Sequence, residues 1–202
     1  MLFQSYIFIL LFFPLCLLGF WGLKRQKLLQ LWLIAFSLWF YGAASPYYLL
    51  LLLGSIAWNY AFFRAIERGI GRVIERVSGS AMERAEYGME RDSSRKRLLL
   101  GIGIAGNLAL LCFFKYFNAI SAGWSQMKGL EDPILQLALP LGISFFTFQQ
   151  IGFLADAYKG EVGACSLREY VLFVSFFPYV SSGPIVNAQE MLPQYRQIRR
   201  QR

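Results

Sequence analysis

The stretch from Ala138 to Gly160, ALPLGISFFTFQQIGFLADAYKG, carries the side chains with the greatest capacity for chemistry in an otherwise apolar region. Successive residues of a helix are about 100° apart, so Gln149, Gly152 and Asp156 fall on one stripe. Ser144, Thr147 and Gln150 fall on a second stripe. Polar groups are costly in hydrocarbon and normally face a bundle interior or a wet cavity. Two interpretations stay open: hydrogen bonds between helices, or the polar wall of a tunnel.

Residue types that the chain lacks exclude several kinds of chemistry. Histidine is absent from the 202 residues, which removes a histidine general base and histidine-ligated metals from this chain. The three cysteines, Cys16, Cys112 and Cys165, are far apart and follow neither a disulfide framework nor a metal-binding spacing. The sequence therefore predicts no metal site and no histidine-based catalysis.

The overall composition is that of a membrane protein. Hydrophobic residues make up 56% of the chain and charged residues only 16%, against about 25% charged in soluble domains. The net charge of +8 could indicate nucleic-acid binding, but the basic residues lie between apolar segments and form no basic domain. We expect them in loops beside anionic lipid, and we expect no nucleic-acid partner.

The distribution of apolar segments predicts an all-α, polytopic membrane protein with a single membrane domain over residues 1–202. A span needs roughly 20 apolar residues. About five spans are expected, at residues 6–23, 28–41, 47–63, 98–117 and 138–160. The first of these lacks the basic start and the cleavage site of a signal peptide, so it is predicted to be retained. Residues 171–186 are apolar but contain Pro178 and Gly183-Pro184, which predicts a broken or re-entrant segment.

The positions of the basic residues predict the orientation. Two loops on one side, at residues 24–27 and 64–97, contain twelve of them, whereas the loops on the other side contain only Lys128. The positive-inside rule therefore places both basic loops in the cytoplasm and the N-terminus outside. Within residues 64–97, an apolar stripe from Ile66 to Val77 predicts an amphipathic helix on the inner membrane surface. A re-entrant tail would return the arginines after Gln194 to the cytoplasm.

The hexapeptide GIGIAG at Gly101 to Gly106 matches the glycine spacing of dinucleotide-binding loops. That fingerprint requires a preceding strand and an acidic residue about 20 positions further on. An apolar helix surrounds the hexapeptide instead, so close packing between helices is the favoured interpretation.

The order of several motifs resembles the membrane-bound O-acyltransferase family, and its bacterial branch of alginate O-acetylases and D-alanyl transferases in particular. The resemblance covers the whole chain. It is carried by FYGAASPYYLLLL, WNY at Trp58 to Tyr60, FKYFN at Phe114 to Asn118, LPLGISFFTFQQIGFLADAYKG and FFPYVSSGPIVNAQEMLPQ.

The resemblance implies a bacterial inner-membrane enzyme that takes an acyl group from a cytoplasmic donor, acetyl-CoA or an acyl carrier. It implies an extracytoplasmic, alginate-like polysaccharide as acceptor, and periplasmic acyltransferase partner proteins. The candidate tunnel-lining residues are Ser144, Thr147, Gln149, Gln150 and Asp156, with Tyr158 and Pro184 as further motif positions.

One departure from the family pattern limits what the resemblance can transfer. The family's histidine lies in a later segment, so no catalytic residue can be assigned here. We expect the chain to be the N-terminal portion of such an enzyme and to be inactive alone. Two alternatives remain: a non-catalytic partner of a polysaccharide synthase or acetylation complex, and a small transporter subunit.

Overall fold

A computed structural model describes residues 6–23, 25–78, 82–128, 137–180 and 186–197, with the backbone alone at 26, 69–78, 82–93 and 180. All regular structure within these ranges is helical, as predicted. A π-helical turn, Phe8–Phe12, leads directly into the first α-helix. The α-helices are α1 Phe13–Gly22, α2 Gln26–Ala44, α3 Pro46–Ser78, α4 Met82–Met127, α5 Ile143–Lys159, α6 Leu167–Ser175, α7 Phe177–Val180 and α8 Ala188–Gln197.

Three of the described helices are long and apolar enough to cross a membrane, over Lys27–Ala44, Pro46–Arg68 and Ser94–Met127. They correspond to the second, third and fourth predicted spans. The first and fifth predicted spans are also helical but shorter, at Phe8–Gly22 and in the 17-residue α5. The prediction of about five crossings therefore stays a prediction, whereas the all-α class is confirmed for the described residues, with three helices long and apolar enough to cross a membrane.

The charged stretch after Phe63 is helical as predicted, but it does not form a separate element. Helix α3 continues without interruption from Pro46 to Ser78, and α4 already begins at Met82. The apolar stripe of residues 66–77 is therefore carried on the same helix as the preceding span. No proline lies between Phe63 and Ser78 to break the helix.

The glycines of GIGIAG lie inside the uninterrupted helix α4, which agrees with the packing interpretation. A Cβ atom at Gly106 would lie 3.0 Å from the indole nitrogen of Trp58 on α3, and one at Gly103 would lie 2.8 Å from Leu154 on α5. At Gly101 a Cβ atom would meet nothing within 4 Å. Two of the three glycines thus let α4 approach its neighbours closely.

Helix α5 is bounded by two glycines in the left-handed region. Gly142, the glycine of the Pro-Leu-Gly motif, has φ 68° and Gly160 has φ 79°, a conformation that costs other L-residues energy. After the last turn, the Gly160 N–H donates to the Ala157 carbonyl and the Glu161 N–H donates to the Asp156 carbonyl. These are the two bonds of a Schellman motif, so both ends of α5 are set by its sequence.

The segment from α6 to α8 enters the bundle and returns to the end at which it entered. The helix breaks at Phe176, and the backbone N–H of Phe177 donates to the buried Ser37 hydroxyl at 3.4 Å. Residue 37 lies about 10 Å along α2 from Gln30, at seven residues of 1.5 Å each. The chain then returns, because the Gln30 amide donates to the backbone carbonyl of Tyr195 in α8 at 3.2 Å. Gln30 closely follows the basic residues of the first loop, so α8 lies at their end of the bundle.

The different surroundings of the α4 glycines can be tested by substitution with leucine. We expect Gly106→Leu to destabilise the protein by about 1–3 kcal/mol, because the new side chain overpacks the contact with Trp58. Gly101→Leu on the same helix is the matched control and should leave stability nearly unchanged. Thermal unfolding in detergent measures both. Equal losses for the two variants would contradict the packing role of Gly106.

Candidate functional site beside helix α5

Gln150 joins three helices through its side-chain amide. The residue is fully buried. Its Nε2 donates to the Ser55 hydroxyl of α3 at 3.1 Å, and its Oε1 accepts from the Tyr170 hydroxyl of α6 at 3.3 Å. Tyr170 is also fully buried, and its ring lies 4.7 Å from that of Phe153, centroid to centroid. Gln150, one of the three residues on the second predicted stripe of α5, therefore makes hydrogen bonds between helices.

Two asparagines extend this polar contact from α3 to α4. The Asn59 amide donates to Asn107 Oδ1 at 3.1 Å, and Asn107 donates back to Asn59 Oδ1 at 2.6 Å. Each amide also donates to a carbonyl one turn earlier on its own helix, that of Ser55 or of Gly103. Both side chains are buried. We call Ser55, Asn59, Asn107, Gln150 and Tyr170 the polar chain, which links α3, α4, α5 and α6.

The backbone just before α5 is held by residues from two other motifs. The Asn118 amide donates to the Leu137 carbonyl at 2.7 Å and accepts from the Leu137 N–H at 2.8 Å. The Tyr48 hydroxyl donates to the Ala138 carbonyl. Three motifs that are far apart in sequence thus meet at the N-terminal end of α5: FKYFN, PYYLLLL and the Pro-Leu-Gly motif.

The first predicted stripe of α5 faces a partly open cleft of about 60 Å³. One wall of the cleft belongs to α5 and consists of Gln149, Gly152, Asp156, Phe148 and Phe153. The other wall is the chain from Val186 to Ala188. The Gln149 amide donates to the Phe173 carbonyl at 3.1 Å, which leaves its oxygen free to accept. No described residue donates a hydrogen bond to the Asp156 carboxylate. The cleft therefore combines apolar walls with hydrogen-bond acceptors.

An ion pair holds α8, which carries part of the cleft wall. Arg196 Nε donates to the Glu169 carboxylate at 2.7 Å, and Arg196 also donates to the Ala164 carbonyl. Ser166 caps α6 and shares the same carboxylate through its N–H at 2.8 Å. Partial burial opposes ionisation of Glu169, but the bonds from Arg196 and Ser166 outweigh it and lower the pKa of the carboxyl. Glu169 therefore stays charged at neutral pH.

The remaining sequence-predicted site residues lie apart from the cleft and the polar chain. Thr147 is fully buried, and its hydroxyl has no hydrogen-bond partner among the described atoms. Ser144 and Tyr158 are half-buried near opposite ends of α5. Pro184 lies outside the described residues. That any of these positions lines a tunnel remains a prediction.

The described residues show no metal-binding cluster, and the thiol of Cys165 is buried and protonated. They contain no cluster of three histidine, cysteine or acidic side chains that could hold a metal ion. Cys165 is 3% exposed. Burial, with the nearby Glu169 charge, raises the pKa of its thiol to about 12, so the thiol stays protonated.

Known proteins similar to this chain are acyl-transferring enzymes by name. The chain is 33% identical to a peptidoglycan O-acetyltransferase of Helicobacter pylori over 97% of its own length. It is 32% identical to the probable alginate O-acetylase AlgI of Pseudomonas putida over 96%. A shorter match, over 29% of the chain at 31% identity, is to a teichoic acid D-alanyltransferase of Lacticaseibacillus rhamnosus.

The resemblance to the membrane-bound O-acyltransferase family is confirmed. The chain spans only 39% of the Helicobacter protein and 37% of the Pseudomonas protein. No family model matches the chain, and no solved structure matches it either.

Several residues that organise this acyltransferase-like core were not predicted as site residues. They are Ser55, Asn59, Asn107, Tyr170 and Asn187. Asn59 and Asn107 left a signal, because each is a lone amide inside a predicted span, where a polar side chain normally has a buried partner. Their pairing depends on how α3 and α4 are rotated and shifted along their axes relative to each other. A single sequence does not specify that arrangement.

A double-mutant cycle tests the asparagine pair. We expect Asn59→Leu or Asn107→Leu to cost about 1–3 kcal/mol each, because each leaves the other amide buried and partly unpaired. The double variant should cost less than the sum of the two, since leucine has a similar volume and leaves no unpaired amide at these positions. Thermal or denaturant unfolding of all four proteins gives the coupling energy. Additive losses would show that the two amides do not act as a pair.

Proposed function

We propose that the chain is the part of a membrane-bound O-acetyltransferase that precedes the family's histidine. In this proposal the whole enzyme passes acetyl groups from a cytoplasmic donor to an extracytoplasmic polysaccharide. The observation that carries it is the alignment of 96–97% of the chain with proteins named as O-acetylating enzymes at 32–33% identity. Acetyl is favoured over D-alanyl, because the D-alanyltransferase match covers only 29% of the chain.

The acceptor is proposed as a polysaccharide and not as a single polymer. The relatives are named after two different polymers, peptidoglycan and alginate. Acetyl-CoA or an acyl carrier would supply the acetyl group, and periplasmic acyltransferase proteins would assist on the far side of the membrane. The described residues contribute binding and positioning to this reaction, and the base comes from outside the 202 residues, which contain no histidine.

The sidedness of the bundle supports a cytoplasmic position for the cleft. Asp156 lies within one turn of the C-terminal end of α5. That end is tied to α8 through Glu161, whose carboxylate accepts from Gln189 at 2.8 Å. Helix α8 is tied in turn to Gln30, beside the first basic loop. The positive-inside rule assigns this end to the cytoplasm, with the N-terminus outside.

Cysteine labelling tests this orientation at positions where a new side chain is tolerated. Gly163 and Gln194 are exposed near the proposed cytoplasmic end, and Ala44 is exposed at the other end of α2. Cysteine would be placed at each, with the exposed Cys112 replaced by serine. In intact cells, we expect a membrane-impermeant thiol reagent to label Ala44→Cys alone. All three should react after the cells are permeabilised.

Two results of the labelling experiment would contradict the proposed orientation or the path of the chain. Labelling at Gly163 and Gln194 but not at Ala44 would reverse the orientation. Different behaviour of Gly163 and Gln194 would disprove the return of α8 to the end at which α6 begins.

Transfer of radiolabelled acetyl tests the activity. We expect membranes that contain the full-length gene product to move the label from acetyl-CoA, or from an acetylated carrier protein, to polysaccharide as an alkali-labile ester. Membranes that contain the 202-residue chain alone should give only background transfer, because the proposed general base is missing. Transfer by the 202 residues would disprove their incompleteness. No transfer by the full-length protein from either donor would disprove the proposed function.

A further inference from the structure

We propose that the first turn of α5 stabilises the negative charge that develops on the acyl carbonyl oxygen during transfer. The α5 N-terminal site consists of the backbone N–H groups of Ser144 and Phe145 and the hydroxyl groups of Ser144 and Thr147. The inference rests on the proposed function, because it takes the acetyl thioester and the acceptor hydroxyl of that function as the reactants. It assigns to this chain a part of the reaction that is separate from the base.

The backbone at the start of α5 leaves two hydrogen-bond donors without an acceptor. The N–H groups of Ile143 and Phe146 donate to backbone carbonyls, whereas no described residue accepts from the N–H of Ser144 or Phe145. The N-cap residue is Gly142, which has no side chain to accept these bonds, and the first turn contains no acidic residue. Both donors lie at the positive end of the helix dipole, which favours negative charge on a bound group.

Thr147 adds a buried hydroxyl that is directed towards the same turn. The residue is fully buried, and its Oγ1 has no hydrogen-bond partner among the described atoms. Side chains of a helix lean towards its N-terminus, so that of Thr147 lies over the turn formed by Ile143 and Ser144. The hydroxyl of the half-buried Ser144 also has no partner in the described part of the chain. An unpaired buried hydroxyl costs free energy, and a ligand oxygen that accepts from it would remove that cost.

These donors suit an oxygen that becomes charged only during the reaction. Residues 129–158 contain no lysine or arginine. Lys115 and Lys128, the described basic residues in the second half of α4, lie over the rings of Tyr116 and Trp124. A permanent anion such as a carboxylate would bring a full charge to a segment that carries no cation. A thioester carbonyl is neutral before the reaction, and donors aimed at its oxygen act most strongly in the transition state.

The charge arises in the bond-forming step of acyl transfer. The acceptor hydroxyl oxygen attacks the carbonyl carbon of the thioester and forms a C–O bond, while the base takes the hydroxyl proton. The π electrons of the C=O bond move to the carbonyl oxygen, which becomes the oxyanion held by the α5 N-terminal site. That electron pair then re-forms the C=O bond as the C–S bond breaks, and the thiolate leaves and takes the proton from the base.

The position of the α5 N-terminal site suits transfer to an extracytoplasmic acceptor. The 17 residues of α5 extend over about 25 Å, at 1.5 Å each. Its other end is the one assigned to the cytoplasm through the contacts of α8 with Glu161 and Gln30. Asn118, which follows the fourth predicted span, bonds to Leu137 just before α5. The first turn of α5 therefore lies at the extracytoplasmic end of the bundle, where the acceptor arrives.

Thr147→Val in the full-length protein separates a role in the reaction from a structural one. Valine has the shape of threonine without the hydroxyl, so the substitution removes an unpaired buried group and should leave thermal stability unchanged or raised. We expect kcat for acetyl transfer to fall about 10–100-fold, with KM for donor and acceptor within about twofold of wild type. A raised KM for the acceptor at unchanged kcat would assign this turn to acceptor binding and overturn the proposal.

Ser144→Asp tests the charge at the same turn. An acidic residue in the first turn favours the helix, so the variant should be at least as stable as wild type. Its carboxylate would repel the oxyanion, and we expect kcat to fall about 100–1,000-fold. Ser144→Asn, which is nearly the same size as aspartate but neutral, should keep at least about tenfold more activity. Gly163→Asp adds the same charge at an exposed position beyond the other end of α5 and should keep the wild-type kcat.

Binding of a tetrahedral probe separates this proposal from the proposed function. The probe is coenzyme A with a methylphosphonate in place of the acetyl group, which carries a negative oxygen where the oxyanion would form. We expect wild type and Gly163→Asp to bind it at least about tenfold more tightly than Thr147→Val and Ser144→Asp do. Unmodified coenzyme A should bind equally to all four proteins. If only an acyl carrier protein donates acetyl to the wild type, the phosphonate is placed on that carrier.

Each combination of transfer and binding leads to one conclusion. The expected difference in probe binding without any acetyl transfer would support the α5 N-terminal site and overturn the proposed function. Transfer by wild type, with equal kcat and equal probe binding in Thr147→Val and Ser144→Asp, would overturn the site and leave the proposed function standing. Absence of both transfer and probe binding in wild type would overturn both.

Discussion

A polar side chain between membrane helices must find its hydrogen-bond partner within the protein, because hydrocarbon supplies none. An unpaired buried amide costs about 1–3 kcal/mol. The polar chain meets this requirement. Asn59 and Asn107 donate hydrogen bonds to each other and to backbone carbonyls of their own helices. The Gln150 amide donates to the Ser55 hydroxyl and accepts from the Tyr170 hydroxyl. Apolar contacts are less directional than hydrogen bonds, whereas these bonds form only at one rotation and one depth of the helices. The relative placement of α3, α4, α5 and α6 depends on them.

Fixing the rotation of α5 also fixes what its other stripe faces. Once Gln150 points to α3 and α6, Gln149, Gly152 and Asp156 are directed towards the chain before α8, where the cleft lies. Both stripes carry interhelical hydrogen bonds, through Gln150 on one and through Gln149, which donates to the Phe173 carbonyl of α6, on the other. That either stripe lines a tunnel stays a prediction. The first stripe also keeps the half-buried Asp156 carboxylate, which has no donor among the described residues.

Apolar segment lengths and motif order predicted the helical class, the three long apolar helices and the family resemblance. Helical periodicity also predicted correctly that Gln149, Gly152 and Asp156 share a face, because 3.6 residues per turn is a local property. The partners of that face could not be predicted. Asn187 lines the same cleft as Asp156 because the chain turns back after Phe176. Asn118 of α4 donates a hydrogen bond to the Leu137 carbonyl, which precedes α5. The sequence did not predict that α3 continues beyond Phe63. A change from apolar to charged residues indicates where a helix leaves the membrane, but it does not indicate where the helix ends.

The two walls of the cleft are held with different strength. The α5 wall is anchored by fully buried hydrogen bonds and by aromatic contacts such as Phe153 with Tyr170. The α8 wall belongs to a ten-residue helix with Pro193 inside it, so one backbone hydrogen bond is missing. Its ion pair to Glu169 is partly exposed, and exposed pairs contribute little. Four of its side chains, those of Ala188, Met191, Leu192 and Tyr195, are buried, and the buried Gln30 amide donates to the Tyr195 carbonyl. Packing therefore holds α8 against the bundle more than its ion pair does.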